Sequence, residues 1–133
     1  MSETLMDRAY SNLSAAKVNF SHRSDDYFFL NLTGYLLQQT VELALKHLLE
    51  TNAIRYPRTH DISELVCMLP KKYDNLTNNL LMMAGTITSW ESKTRNIKDY
   101  FLEERQIKLG FSVVEDFLNS VDDSNSVRRL NLT

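Results

Sequence analysis

Apolar residues recur along this chain at steps of three and four, the period of helices that each bury one face. Leu5, Ala9, Leu13, Ala16 and Phe20 mark an amphipathic helix over residues 3–20. A polar stretch, Ser21 to Asp26, separates it from a second and longest helix running from about Tyr27 to Thr51. Asp25 or Asp26 is placed to cap that helix, and Asn52 to stop it in the left-handed conformation. Residues 52–60 read as a loop in which Pro57 biases Tyr56 away from helical geometry. A short helix follows. Asp61 with Glu64 three residues on has the spacing of a capping box, Ile62, Leu65, Val66 and Leu69 form the apolar face, and Pro70 ends it. Leu76, Leu80, Met83, Ile87 and Trp90 form the most regular stripe and predict a fourth helix. Residues 91–100 are polar and are expected to break or bend the chain. Ile107, Phe111, Val114, Leu118 and Val121 then predict a last helix. The fold class expected is all-α, an up-and-down bundle of four long helices plus one short helix over residues 1–121, with residues 122–133 as a polar, frayed tail.

The second helix departs from the ordinary amphipathic pattern. At about 100° per residue, Tyr35, Gln39, Glu42 and Lys46 fall within about 60° of one another. Leu32, Leu36 and Leu43 border that polar stripe on one side, Leu45 and Leu49 on the other, and the main apolar face lies opposite. A surface helix usually has a much wider polar arc. The stripe is therefore expected to look into an interface or a groove. The competing reading is a Glu42–Lys46 surface ion pair, four residues apart with the acid first.

Composition narrows the classes available. The chain has 133 residues, 43% of them hydrophobic, which fits one domain with its own core. Only 3 Gly and 2 Pro occur, too few to punctuate many short strands. Lys and Arg number 15 against 17 Asp and Glu, so the net charge of −2 argues against a dedicated duplex-binding protein. The single cysteine, Cys67, has no partner for an internal disulfide, sits in an apolar run and is expected to be buried. No apolar run approaches the roughly 20 residues needed to span a bilayer, and the first residues do not resemble a signal peptide, so a cytoplasmic protein is expected.

Candidate chemistry is concentrated in few places. Arg55, Arg58 and His60 cluster in the loop before the short helix, where the helix N-terminus adds a site for an anion. His60 has two readings, a loop fastener or a group that contacts phosphate or transfers protons. Arg95, between Lys93 and Lys98, belongs either to a solvated charge run or to a contact with nucleic acid or a second subunit. Trp90 fits the core stripe. His22 and His47 have no evident partners, three scattered histidines make no metal site, and no phosphate loop or nucleophile elbow is present; no cofactor is expected.

In order and spacing these residues resemble the HEPN domain family (higher eukaryotes and prokaryotes nucleotide-binding). The family pattern is Gln-x-x-Glu-x-x-x-Lys on the second helix, here Gln39, Glu42 and Lys46. It continues with a Thr-His-Asp-hydrophobic lead-in to the third, here Thr59, His60, Asp61 and Ile62, and with a late arginine, here Arg95. The resemblance extends over roughly residues 3–121. It implies a helical bundle, commonly a homodimer, often encoded beside a small nucleotidyltransferase as a toxin–antitoxin pair. It also implies that many members are metal-independent ribonucleases with an Arg-x4–6-His motif near the start of the last long helix. Arg95-Asn96 matches the beginning of that motif, but Tyr100, Phe101 and Leu102 stand where the His is expected. A tyrosine is a poor substitute for imidazole in proton transfer near neutral pH. Arg55-x4-His60 has the right spacing and lies in the wrong loop.

The expectation therefore leans to a homodimeric binding or regulatory module for RNA, a nucleotide or a nucleotidyltransferase partner over an enzyme. Its binding residues would be Arg55, Arg58, His60 and Arg95, and its interface the stripe Tyr35, Gln39, Glu42 and Lys46. The alternatives are a ribonuclease with an altered site built from Arg95, Tyr100 and His60, and a structural scaffold.

Overall fold

The structure, a computed structural model, describes the backbone of residues 3–96, 98 and 100–131, and the side chains of these residues other than Arg95 and 123–131. Among the described residues are five α-helices, α1 (Leu5–Ser21), α2 (Phe28–Thr51), α3 (Ile62–Cys67), α4 (Asp74–Asn96) and α5 (Glu104–Asn131), with one 3-10 turn at Lys71–Tyr73. No strand occurs among the described residues. The all-α bundle of four long helices and one short one is the architecture the periodicity predicts.

The helix ends follow from local chemistry. Thr4 and Asp7 close a capping box on α1, each side-chain oxygen accepting the other's backbone N–H at 3.0 Å. Asp26 accepts from the Phe28 N–H at 2.9 Å and so serves the first turn of α2. At the other end the left-handed residue is Ala53 (φ 56°), not Asn52. Asn52 uses its side-chain amide instead, donating to the Leu48 carbonyl at 2.7 Å and the Tyr73 hydroxyl at 2.9 Å. The chain therefore turns one residue later than expected, and the Ile54 N–H reaches back to the Leu49 carbonyl. Helix α4 ends at Asn96, inside the stretch 91–100 expected to break or bend the chain, and α5 continues to Asn131, past the last apolar stripe position at Val121.

α2 is the axis of the molecule, packing against α1, α3, α4 and α5. That surrounds most of its circumference, which is why Asn31, Thr33, Gln38, Thr40 and Glu42 are buried along with Leu37, Val41, Ala44, Leu45 and Leu49. Thr33 and Thr40 satisfy their hydroxyls on the carbonyls four residues back. Trp90, 1% exposed, fills the centre between α2 and α5. It fits because Gly110 carries no side chain, and Gly34 makes room for Leu102 beside it. A Cβ on Gly110 would stand 2.8 Å from the indole Cη2, and one on Gly34 would strike Leu102. Cys67 is exposed, a correction to its expected burial. Ile62, Leu65 and Val66 turn inward, and one further step of about 100° carries Cys67 round to the outside. Among the described residues, no helix is long and apolar enough to cross a membrane.

Candidate functional site

The polar stripe on α2 divides in the folded chain. Glu42 turns inward, its side chain 4% exposed, and collects three donors. Gln38 Nε2 donates to Oε2 at 2.8 Å. Lys46 Nζ donates to Oε1 at 2.9 Å, and His60 Nδ1 meets the same oxygen at 2.7 Å. Gln39 Nε2 donates to Gln38 Oε1 at 3.2 Å, which turns the Gln38 amide nitrogen toward Glu42. The chain of bonds thus runs from Gln39 through Gln38 to Glu42, where Lys46 and His60 join it. Tyr35 takes no part. It lines a separate groove of about 330 Å³ with Phe28, Asn31, Leu32 and Thr94.

His60 is held at this point by the loop before α3. Thr59 ties the turn, accepting from the Asp61 N–H at 3.1 Å and donating its hydroxyl to Glu64 at 2.8 Å. Asp61 caps α3 by accepting from the Glu64 N–H at 3.3 Å, so half of the expected capping box forms and Thr59 replaces the other half. The Ile62 N–H donates to the Thr88 hydroxyl, docking the turn on α4. The imidazole itself remains open to solvent, its side chain 69% exposed. Its link to Glu42 fastens the loop to the bundle, and the ring edge beyond that link stays accessible.

Arg55 and Arg58, on the same loop, are exposed. Tyr56 between them lies with its ring 5.7 Å from Lys46 Nζ and donates its hydroxyl to Glu50 at 2.8 Å. Burial, with the Glu50 bond adding to it, pushes the Tyr56 phenol up to about 12. Lys46 and His60 thus share one buried carboxylate, and Arg55 and Arg58 lie within five residues of His60 on the same loop.

The segment after Arg95 is built differently. Arg95 lies in the last turn of α4, and its side chain is outside the described residues. Tyr100 is half-buried, Phe101 is exposed and Leu102 is buried. Asn31 clamps this segment from α2, donating to the Tyr100 carbonyl at 2.7 Å and accepting from the Leu102 N–H at 2.9 Å. Asn31 and Glu42 stand eleven residues apart on one helix, or about 16 Å along its axis. The fold brings Glu42, Lys46 and His60 together and keeps them apart from the Arg95 segment. Among the described residues, no group of three or more His, Cys, Asp or Glu side chains is arranged to hold a metal ion.

Two organising residues, Asn31 and Gln38, escaped the sequence reading. The signal was present: Asn31, Gln38 and Glu42 recur at steps of seven and four and share a face of α2 within about 40°. That line lies beside the stripe first picked out, and it is the line that is buried.

The family model for the HEPN domain matches residues 2–124. No curated protein and no solved structure matches the chain. With the family model covering nearly the whole length, the helical order in place and the Gln-Glu-Lys and Thr-His-Asp residues joined at one point, this chain belongs to the HEPN domain family.

Proposed function

We propose that this protein is a homodimeric binding or regulatory module that holds RNA or a nucleotide through the loop carrying Arg55, Arg58 and His60. Arg95 would extend the contact, and a small nucleotidyltransferase encoded beside it would be its partner protein. One observation carries the reading over a ribonuclease: the only imidazole in the shared motif residues sits at Glu42, about 16 Å down α2 from the segment that follows Arg95. A general base works within hydrogen-bond reach of the proton it takes. Where the His is expected after Arg95, the residues are Tyr100, Phe101 and Leu102, and Asn31 pins their backbone. Exposed guanidiniums on a tied loop suit phosphate oxygens instead, which they meet with paired donors.

The homodimer is supported by the groove at Phe28, Leu32 and Tyr35. Its surroundings include large apolar side chains open to solvent, Phe28 and Phe101 each 52% exposed. A second copy would cover them. Light scattering after gel filtration should give twice the chain mass, and Leu32→Glu should shift the protein to monomer.

The binding reading is tested by titrating labelled RNA into wild type and an Arg55→Ala/Arg58→Ala variant. The variant should bind about tenfold more weakly, with a shallower salt dependence. RNA cleavage by the wild type that disappears in Arg95→Ala would refute the reading in favour of a ribonuclease using Arg95, Tyr100 and His60.

A further inference from the structure

The pairing of an exposed imidazole with a buried carboxylate has a chemical consequence beyond fastening a loop. Glu42 receives donors on both oxygens, Gln38 on Oε2 and Lys46 on Oε1. It therefore acts as an acceptor toward His60 as well, and the proton between them belongs on His60 Nδ1. Fixing Nδ1 fixes the tautomer and the ring plane, because the second nitrogen of an imidazole is set by the bond the first one makes. Nε2 is left on the solvent side of a ring that is 69% exposed. Lys46 shares the oxygen that His60 uses, so one negative charge lies under two groups that can each carry a positive one. Arg55 and Arg58 lie within five residues of His60 in the loop, both exposed. The nearby acids are engaged elsewhere: Glu50 by Tyr56, Glu64 by Thr59, and Asp61 by the α3 N-terminus.

We propose that His60 Nε2 contacts the terminal phosphate monoester of a nucleotide or an RNA end, with Glu42 as the positioning residue that locks the ring and a loop arginine completing the contact. The proposal rests on the binding reading above and narrows its ligand. With Nδ1 carrying its proton toward Glu42, Nε2 accepts the P–OH of a monoester monoanion or, in the imidazolium, donates to one of its oxygens. A terminal monoester has three free oxygens and as many as two negative charges, enough to meet the ring and a guanidinium fork together. An internal phosphodiester has two free oxygens and one charge, and is matched by the arginines alone. Glu42 reaches the ligand only through the ring, so its removal should act on ring state and affinity together.

Ring nitrogens report directly on this. In 15N-labelled protein, His60 should show a protonated Nδ1, whereas His22 and His47 serve as internal references. Adding AMP should move the His60 Nε2 signal; adenosine and the dinucleotide ApA, which lack a terminal phosphate, should leave it in place. His60→Gln, at an exposed position, should weaken AMP binding about tenfold and ApA binding less than twofold. Glu42→Gln should mix the two His60 tautomers and weaken AMP binding about threefold. AMP binding that is unchanged in His60→Gln yet weakened in Arg55→Ala/Arg58→Ala would overturn this proposal and leave the binding reading standing. Absence of binding by AMP, ApA and RNA alike would overturn both.

Discussion

Replacing Glu42 by alanine should cost about 3 kcal/mol of folding stability, although the residue is a single polar side chain in a largely apolar bundle. The magnitude is built from its partners. Gln38 is fully buried and loses the acceptor for its amide N–H, at about 1–3 kcal/mol for a stranded buried donor. Lys46, with 19% of its side chain exposed, loses a partly shielded ion pair but can extend into water, so its share is about 1 kcal/mol. His60 is largely exposed and its bond contributes about 0.5–1 kcal/mol. Alanine's better helix propensity returns roughly 0.4 kcal/mol. For a chain of this size each kcal/mol moves the melting temperature by about 3–5 °C, so a drop near 10 °C is expected. Thermal and urea unfolding followed by circular dichroism measure it. Glu42→Gln, which keeps the shape and one acceptor, should lose about half as much. A cycle with Gln38→Ala should show coupling of about 1 kcal/mol, because the two side chains share one bond. The reasoning fails if Glu42→Ala costs under about 1 kcal/mol, or if the two substitutions add without coupling.

Gly110→Ala places a methyl against the rigid, buried face of Trp90 and should destabilise the fold by about 1–2 kcal/mol after the gain in helix propensity, with a shift in tryptophan fluorescence. Ala53→Gly relieves an alanine held at φ 56° and should stabilise the protein by about 0.5–1 kcal/mol in urea unfolding. The Tyr56 phenol is raised in the folded state to about 12 from an ordinary value of 10.0. Its contribution is therefore complete below pH 10 and lost as pH rises through about 12, so wild type should lose melting temperature across that window more steeply than Tyr56→Phe.

The order and type of the helices were legible because each buries one face, and a face leaves a period in the sequence. The stripes ending at Phe20, Trp90 and Val121 fall on α1, α4 and α5 as their spacing required. Asp61 capped α3, which ends at Cys67, so that Leu69 and Pro70 lie beyond it. The exact stop of α2 was not legible, because Asn52 had a better use for its side chain on Leu48 and Tyr73 than entering the left-handed region. The site was half legible. Motif order singled out Glu42, Lys46 and His60, but not that they meet on one oxygen, since His60 lies eighteen residues beyond Glu42 and across a loop.

What the sequence by itself determined is the set of helices, the family and the residue types available for chemistry, all of them properties of local spacing. Which side of α2 is inside was decided only by tertiary structure. With four helices around it, the buried arc of α2 extends past its apolar residues and takes in Asn31, Gln38 and Glu42. Burial then obliges each polar group to find a partner. Asn31 takes the segment after Arg95, and Glu42 takes Lys46 and His60. That division fixes the basic loop and the Arg95 segment at separate levels of one helix, a separation that spacing along the chain does not encode.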